Sequence, residues 1–248
     1  MTGHLAHITR HPIKAHGRES LKSVQLSVGE CLPFDRRWAV VQDGASVVQG
    51  WNSCVLFSRG AKSPQLMAVT AELDEAAERV TLNHPVQGQI SIRPDEPADL
   101  PGFLAWASPL VAPGRIPPAR LVRHDGGMTD SDYPTVSILS LSTLADLSAR
   151  MGTDLSIHRW RANLWIDGAE PWAEFGWIGQ KLTIGGAVLE VVERIGRCNA
   201  TKVNPETGEI DADTTGTLEK DFGHTDFGVF AKVVQSGPVA VGDIWSLT

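Results

Sequence analysis

Residues 196–211 read GRCNATKVNPETGEID, with an arginine directly ahead of a cysteine and an Asn-Pro-Glu-Thr-Gly turn close behind. A guanidinium at Arg197 favours the thiolate of Cys198 over the thiol, and the thiolate is the form that coordinates a metal or attacks an electrophile. The apolar run AVLEVVERIG carries that cysteine off the end of a strand, where a rigid scaffold can present a side chain to a ligand. Inert packing is the competing reading, since free cysteine is among the most buried residue types. The chain has three cysteines, Cys31, Cys54 and Cys198, and no CxxC pair, so neither a disulfide framework nor a zinc ribbon is expected. Cys31 and Cys54 read as packing residues.

Other candidates are weaker. His4, His7, His11 and His16 crowd the N-terminus. On a strand over residues 5–14 only His7 and His11 share a face, and no carboxylate or cysteine completes a zinc set. The Ser, His and Asp residues of TDSDYP and FGHTDFG lack a nucleophile elbow. The acidic stretch from Glu206 to Asp226 reads as a solvated face.

The elements that must hold Cys198 are mostly strands. Fifteen prolines and 24 glycines punctuate short apolar runs, which favours β structure. Strands are expected at 5–14 and 36–42, in a hairpin over LMAVTAELDEAAERVTLNHP, and in GQISIRP, NLWIDG, QKLTIGGAVLEVVERIG and GVFAKVVQSGPVAVGDIWSL. Gly185-Gly186 suits a tight turn. The proline-rich run PADLPGFLAWASPLVAPGRIPPARLV reads as a connector or sheet edge, which puts a domain boundary near residue 115. SLSTLADLSARMG is the clearest helix, with Ser142 as N-cap and Gly152 as its stop. The expected fold class is α+β, predominantly antiparallel β, with one or two barrels and few helices.

A formal charge of −7 argues against a nucleic-acid groove or an anionic membrane as main partner, while leaving room for a local basic pocket. The N-terminus has no apolar signal core, and no apolar run reaches membrane-spanning length, so a cytoplasmic protein with reduced thiols is expected.

The run RCNATKVNPETG resembles the signature of MOSC domains, the module named for the C-terminal part of molybdenum-cofactor sulfurases. The pattern is carried by Arg197, Cys198, Thr201, Val203, Pro205, Thr207 and Gly208. HPIKAHG, FDRRWAVV, DSDYPTVSILSLSTLADLSAR and RWRANLWIDG are similar to further family segments in the same order. Ala15 and Ala162 depart from the family's usual serine and proline. The resemblance implies a MOSC-type β-barrel over residues 116–248 and an N-terminal β-barrel subdomain over residues 1–115.

The resemblance also implies a function. Amidoxime-reducing members of the family hold a molybdenum–pterin cofactor, so Cys198 would be the metal ligand and catalytic residue. Lys14, Arg36, Ser131, Thr135, Arg161, Asn163 and Arg197 would bind the pterin and its phosphate. A soft thiolate suits molybdenum, and Arg and Lys suit a terminal phosphate. The expected activity is reduction of a small N-hydroxylated substrate, with electrons from a separate redox protein. Two other readings fit the same residues. In one, Cys198 carries persulfide sulfur received from a cysteine desulfurase. In the other, the barrel binds a ligand without turnover.

Overall fold

The computed structural model describes residues 2–247. Fifteen strands run in chain order as β1 (Thr2–Arg10), β2 (Glu19–Leu21), β3 (Ser23–Leu26), β4 (Trp38–Gln42), β5 (Thr70–Asp74), β6 (Arg79–His84), β7 (Gly88–Ile92), β8 (Pro118–Arg123), β9 (Val136–Ser140), β10 (Leu164–Asp167), β11 (Lys181–Ile184), β12 (Ala187–Gly196), β13 (Asp226–Gln235), β14 (Gly237–Ala240) and β15 (Ile244–Leu247). Helices are α1 (Leu100–Ala107), α2 (Leu141–Met151) and α3 (Thr214–Phe222).

The large sheet follows the order β10-β9-β13-β12-β11-β15-β1-β2, and an additional β10–β1 pairing closes it into a seven-stranded barrel. All its ladders are antiparallel except β9–β10. Closure leaves few open edges, which suits a predominantly antiparallel protein. Alternating strand residues fill it: Leu5, Ile8, Ile138, Leu164, Leu182, Leu189, Val191, Val229 and Trp245 share one buried cluster. A second core gathers Ile13, Trp38, Leu66, Leu82, Phe103 and Trp106 among β4–β8, the β5-β6-β7 sheet and α1. The chain crosses between the two units. β1 and β2 join the large barrel and β3 pairs with β14, while β8 pairs back onto β4.

Several local expectations need correction. The first strand stops at Arg10 instead of continuing to residue 14, because Pro12 interrupts it and the chain turns inward. β4 begins at Trp38, since Arg36 adopts a left-handed backbone at φ 52°. The proline-rich run contains α1, whose Pro101 sits at the first positions, where a missing N–H costs nothing. Phe103, Trp106 and Ala107 give that helix its buried face. In α2 the N-cap is Ser140, because the Ser142 hydroxyl donates instead to Ala169 O at 2.6 Å. Gly152 ends α2 at φ 63°, in the left-handed conformation that Gly adopts without strain. The acidic stretch also contains a helix: Asp213 caps α3 by accepting from Gly216 N at 3.2 Å.

Glu174, in the turn after β10, is fully buried. Its Oε2 accepts from Thr143 Oγ1 at 2.9 Å and its Oε1 has no hydrogen-bond partner among the described residues. Burial pushes this carboxyl up from 4.5 to about 7. The folded chain therefore holds a proton that the unfolded chain releases, and this contribution to stability is lost as pH rises from about 4.5 to about 7. Glu174→Gln mimics the protonated form. In urea unfolding it is expected to match the parent at pH 4 and to exceed it by about 3 kcal/mol at pH 8. Equal midpoints at both pH values would refute this.

Candidate functional site

β12 ends at Gly196 and delivers Arg197 and Cys198 into the loop that follows. The Arg197 guanidinium donates to Phe227 O through Nε at 2.8 Å and to Trp160 O through Nη1 at 2.9 Å. It thereby ties the strand end to its neighbours. Thr201 secures the loop from the other side: its backbone N and its Oγ1 both donate to Cys198 O, at 3.2 and 3.1 Å. Thr201 Oγ1 also meets Thr214 Oγ1 at 2.6 Å, which links the loop to the start of α3. Cys198 is the exposed cysteine of the three, whereas Cys31 is buried and Cys54 half-buried. Cys54 is not a packing residue, since it lines the same cavity as Cys198. Burial pushes the Cys31 thiol up to about 11, which keeps it protonated.

The turn beyond Cys198 is fastened to the first half of the chain. Arg18 is buried, donating to Met67 O at 2.8 Å and Pro205 O at 3.0 Å, with Glu206 at 3.2 Å. Gln65 Nε2 donates to Gly208 O at 3.1 Å. A Cβ on Gly208 would lie 2.8 Å from Gln65 Oε1, at a φ of 72°, so only glycine permits this approach.

Cys198 opens onto a cavity of about 400 Å³ between the two units. Among the predicted site residues, Lys14, Arg36, Thr135, Arg161, Asn163, Arg197 and Cys198 line it. Ser131 stands behind that surface and meets Thr135 Oγ1 at 2.8 Å. Of the adjacent arginines, Arg36 faces the cavity, while Arg37 pairs with Asp125 at 3.0 Å and lies over the Phe34 ring. Ala15, Arg36 and Arg161 all have left-handed backbones, at φ 63°, 52° and 49°. Such conformations cost on the order of 1 kcal/mol each in non-glycine residues and cluster at functional sites. Asn163 is held by β9: its Oδ1 accepts from Ser137 N at 3.1 Å and Ser137 Oγ at 2.9 Å.

Behind the cavity, Asp35 and His11 form a buried pair at 3.3 Å, and Arg36 ion-pairs with the same carboxylate. His11 N donates to Asp35 Oδ1 at 2.8 Å. Burial opposes charge on Asp35, but Arg36 and His11 overcome it and hold the carboxyl well below its usual range. Burial, assisted by Arg161, keeps His11 neutral. Arg36 also donates to Arg161 O at 2.7 Å. Sequence reasoning did not single out Asp35, His11 or Arg18 for these roles, and the nearest signal was the adjacency of Asp35 to Arg36.

The cations differ in how fully they are neutralised. Lys14 donates to Met128 O, Thr129 O and Asp130 Oδ1 at 2.8, 3.1 and 2.6 Å. Arg159 pairs with Asp211 at 2.7 Å, and Arg194 lies over the Phe175 ring with Asp226 at 3.9 Å. Among the described residues, the hydrogen bonds of the Arg161 and Arg197 guanidinium groups go to carbonyls and none to a carboxylate, and Arg197 also lies over the Trp160 ring. Burial, with Arg36 adding repulsion, lowers Arg161 to about 9, and burial lowers Arg197 likewise to about 9. Such groups gain from an anion that supplies the missing counter-charge. Among the described residues, no group of three His, Cys, Asp or Glu could hold a bare metal ion. A metal that brings its own sulfur donors and an anionic tail, and needs one thiolate from the protein, fits this donor set.

A MOSC domain model matches residues 125–245, and a MOSC N-terminal beta barrel domain model matches residues 2–107. Mitochondrial amidoxime reducing component 2 of Bos taurus is 31% identical over 124 residues, covering 45% of this chain and 36% of that protein. Mitochondrial amidoxime-reducing component 1 of Danio rerio is 26% identical over 227 residues, covering 80% of this chain and 68% of the relative. The first of these matches thus spans little more than a third of the relative's length. Among solved structures, the YUAD protein from Bacillus subtilis aligns over 100% of this chain and 96% of its own, at 11% identity and a TM-score of 0.49. Among the described residues, no helix is long and apolar enough to cross a membrane.

Proposed function

The chain belongs to the MOSC domain family, and from that premise we propose that it binds a molybdenum–pterin cofactor beside Cys198 and reduces small N-hydroxylated substrates. The observation that carries this reading is an exposed thiol opening onto a cavity whose half-buried Arg161 and Arg197 have no carboxylate partner among the described residues. Cys198 would ligate the metal. Arg161, Arg36 and Arg197 would face the phosphate, and Thr135, backed by Ser131, would stand at its side. Lys14 would hold the 128–130 turn in shape and add positive potential, while Asn163 would order β9 against the ligand. When bound, the cofactor supplies two-electron oxygen-atom transfer. The chain's own task is to present the thiol, orient the anion and limit water. Electrons would come from a separate redox protein, in a cytoplasmic setting where thiols stay reduced. Exposure of Cys198 favours a second reading, in which it accepts persulfide sulfur from a cysteine desulfurase.

Metal and pterin analysis of protein produced in a cofactor-competent host tests this. About one molybdenum per chain with releasable pterin is the expected result. Cyanide-labile sulfur on Cys198 without metal would replace the reductase with the carrier. Absence of both would leave a ligand-binding barrel.

A further inference from the structure

The cofactor anchors named above leave Arg59, Arg159 and Arg194 on the cavity wall, and Arg159 and Arg194 already face Asp211 and Asp226. Arg59 lines the cavity from the loop between β4 and β5. Its Nη1 contacts Cys54 Sγ at 3.5 Å, a weak acceptor, and its buried Nε has no hydrogen-bond partner among the described residues. Among the described residues, no carboxylate forms an ion pair with it. The other cavity cations sit against carboxylates or are tied to carbonyls by the barrel strands and the turns between them.

The loop that carries Arg59 is well supported. Ser58 N donates to Val40 O at 2.9 Å, and Lys62 N and Ser63 N both donate to Arg59 O at 3.0 Å. A Cβ on Gly60 would stand 2.5 Å from Met67 Sδ and 3.8 Å from Ala200 Cβ. The backbone beside Arg59 therefore lies against the turn that carries Cys198. Met67, Ile195 and Phe230 add an apolar surface to the same cavity. A guanidinium on a rigid loop, short of acceptors and next to an apolar wall, suits a ligand with an apolar body and an anionic end.

We infer that Arg59 binds a carboxylate or similar anionic group of the substrate, which makes the substrate an anionic N-hydroxylated compound. This rests on the reductase reading for the reacting end of the molecule, and on Arg59 itself for the anionic end. Arg59 acts as a specificity residue.

The test compares benzamidoxime with its 4-carboxy analogue by titration calorimetry on the full-length protein as purified, with molybdenum content measured in parallel. The parent is expected to bind the carboxylate at least about tenfold tighter, as one charge-assisted bidentate contact warrants. Arg59→Gln should bring that ratio close to one with molybdenum content retained, and Arg59→Lys should restore part of it. Equal binding of both probes by the parent, binding of neither, or a ratio unchanged in Arg59→Gln would overturn the inference. Loss of molybdenum in Arg59→Gln would also overturn it, by making Arg59 a cofactor anchor. A parent that carries no molybdenum but prefers the carboxylate would remove the reductase reading and keep the anion site.

Discussion

Cys198→Ser is expected to give a folded protein without molybdenum, in which turnover of an N-hydroxylated substrate falls by more than about a hundredfold. Removing a residue that merely supports a metal ligand costs about 10–100-fold, and loss of the ligand itself should exceed that. Serine keeps the size of the side chain but stays protonated at neutral pH and offers a hard oxygen where a soft donor is required. The side chain is exposed, and its loop is held through the backbone carbonyl by Thr201. Stability should therefore change by less than about 0.5 kcal/mol. Metal content, turnover and melting temperature measured on one preparation separate the outcomes. Retained molybdenum with normal turnover would remove Cys198 from the chemistry, and a collapsed melting temperature would make it structural.

Asp35→Ala should have the largest effect on stability, about 3–5 kcal/mol in urea unfolding. The Asp35 carboxylate is buried and answers the Arg36 guanidinium, the His11 ring and the His11 backbone N–H together. Its removal leaves a mostly covered cation and two donors without their acceptor. Because the folded carboxyl titrates below its ordinary 3.8, its contribution is fully present above that value and is lost as pH falls further. The parent should thus lose stability steeply below about pH 4, and Asp35→Asn should flatten that limb. Arg36 also holds Arg161 O, so the variant should lose cofactor as well as stability. A cost under about 1 kcal/mol would show that the carboxylate does not organise the cavity floor.

Much of this was legible in the residues. Alternation marked the barrel strands, the glycine pair marked the β11–β12 turn, and a strand running into Gly-Arg-Cys marked where the thiol would emerge. What was hidden had physical causes. Arg36 and Arg161 were named through the family resemblance alone, since they occupy left-handed positions where alternation does not tell which way a side chain points. His11 and Asp35 are charged-type residues in a core, contrary to hydropathy, and they meet only because the loop before β4 folds back. Prolines masked α1, and the poor helix formers Thr214, Thr215 and Gly216 masked α3. Arg59 and Cys54 lie in a stretch with no period of its own, so their place on the cavity wall follows only from tertiary packing.

β1 is a stave of the large barrel, seated between β10 and β15, although it lies at the opposite end of the chain from most of its neighbours. Residues 116–248 produced alone would be a cylinder with one slat missing, exposing two raw edges that invite pairing with other copies. A peptide spanning residues 1–26, supplied in trans, carries the absent slat together with β2 and β3. Residues 27–115 also supply Arg36 and Arg59 to the cavity, so that peptide would close the cylinder alone, and only fragment 1–115 joined with 116–248 would rebuild the cavity.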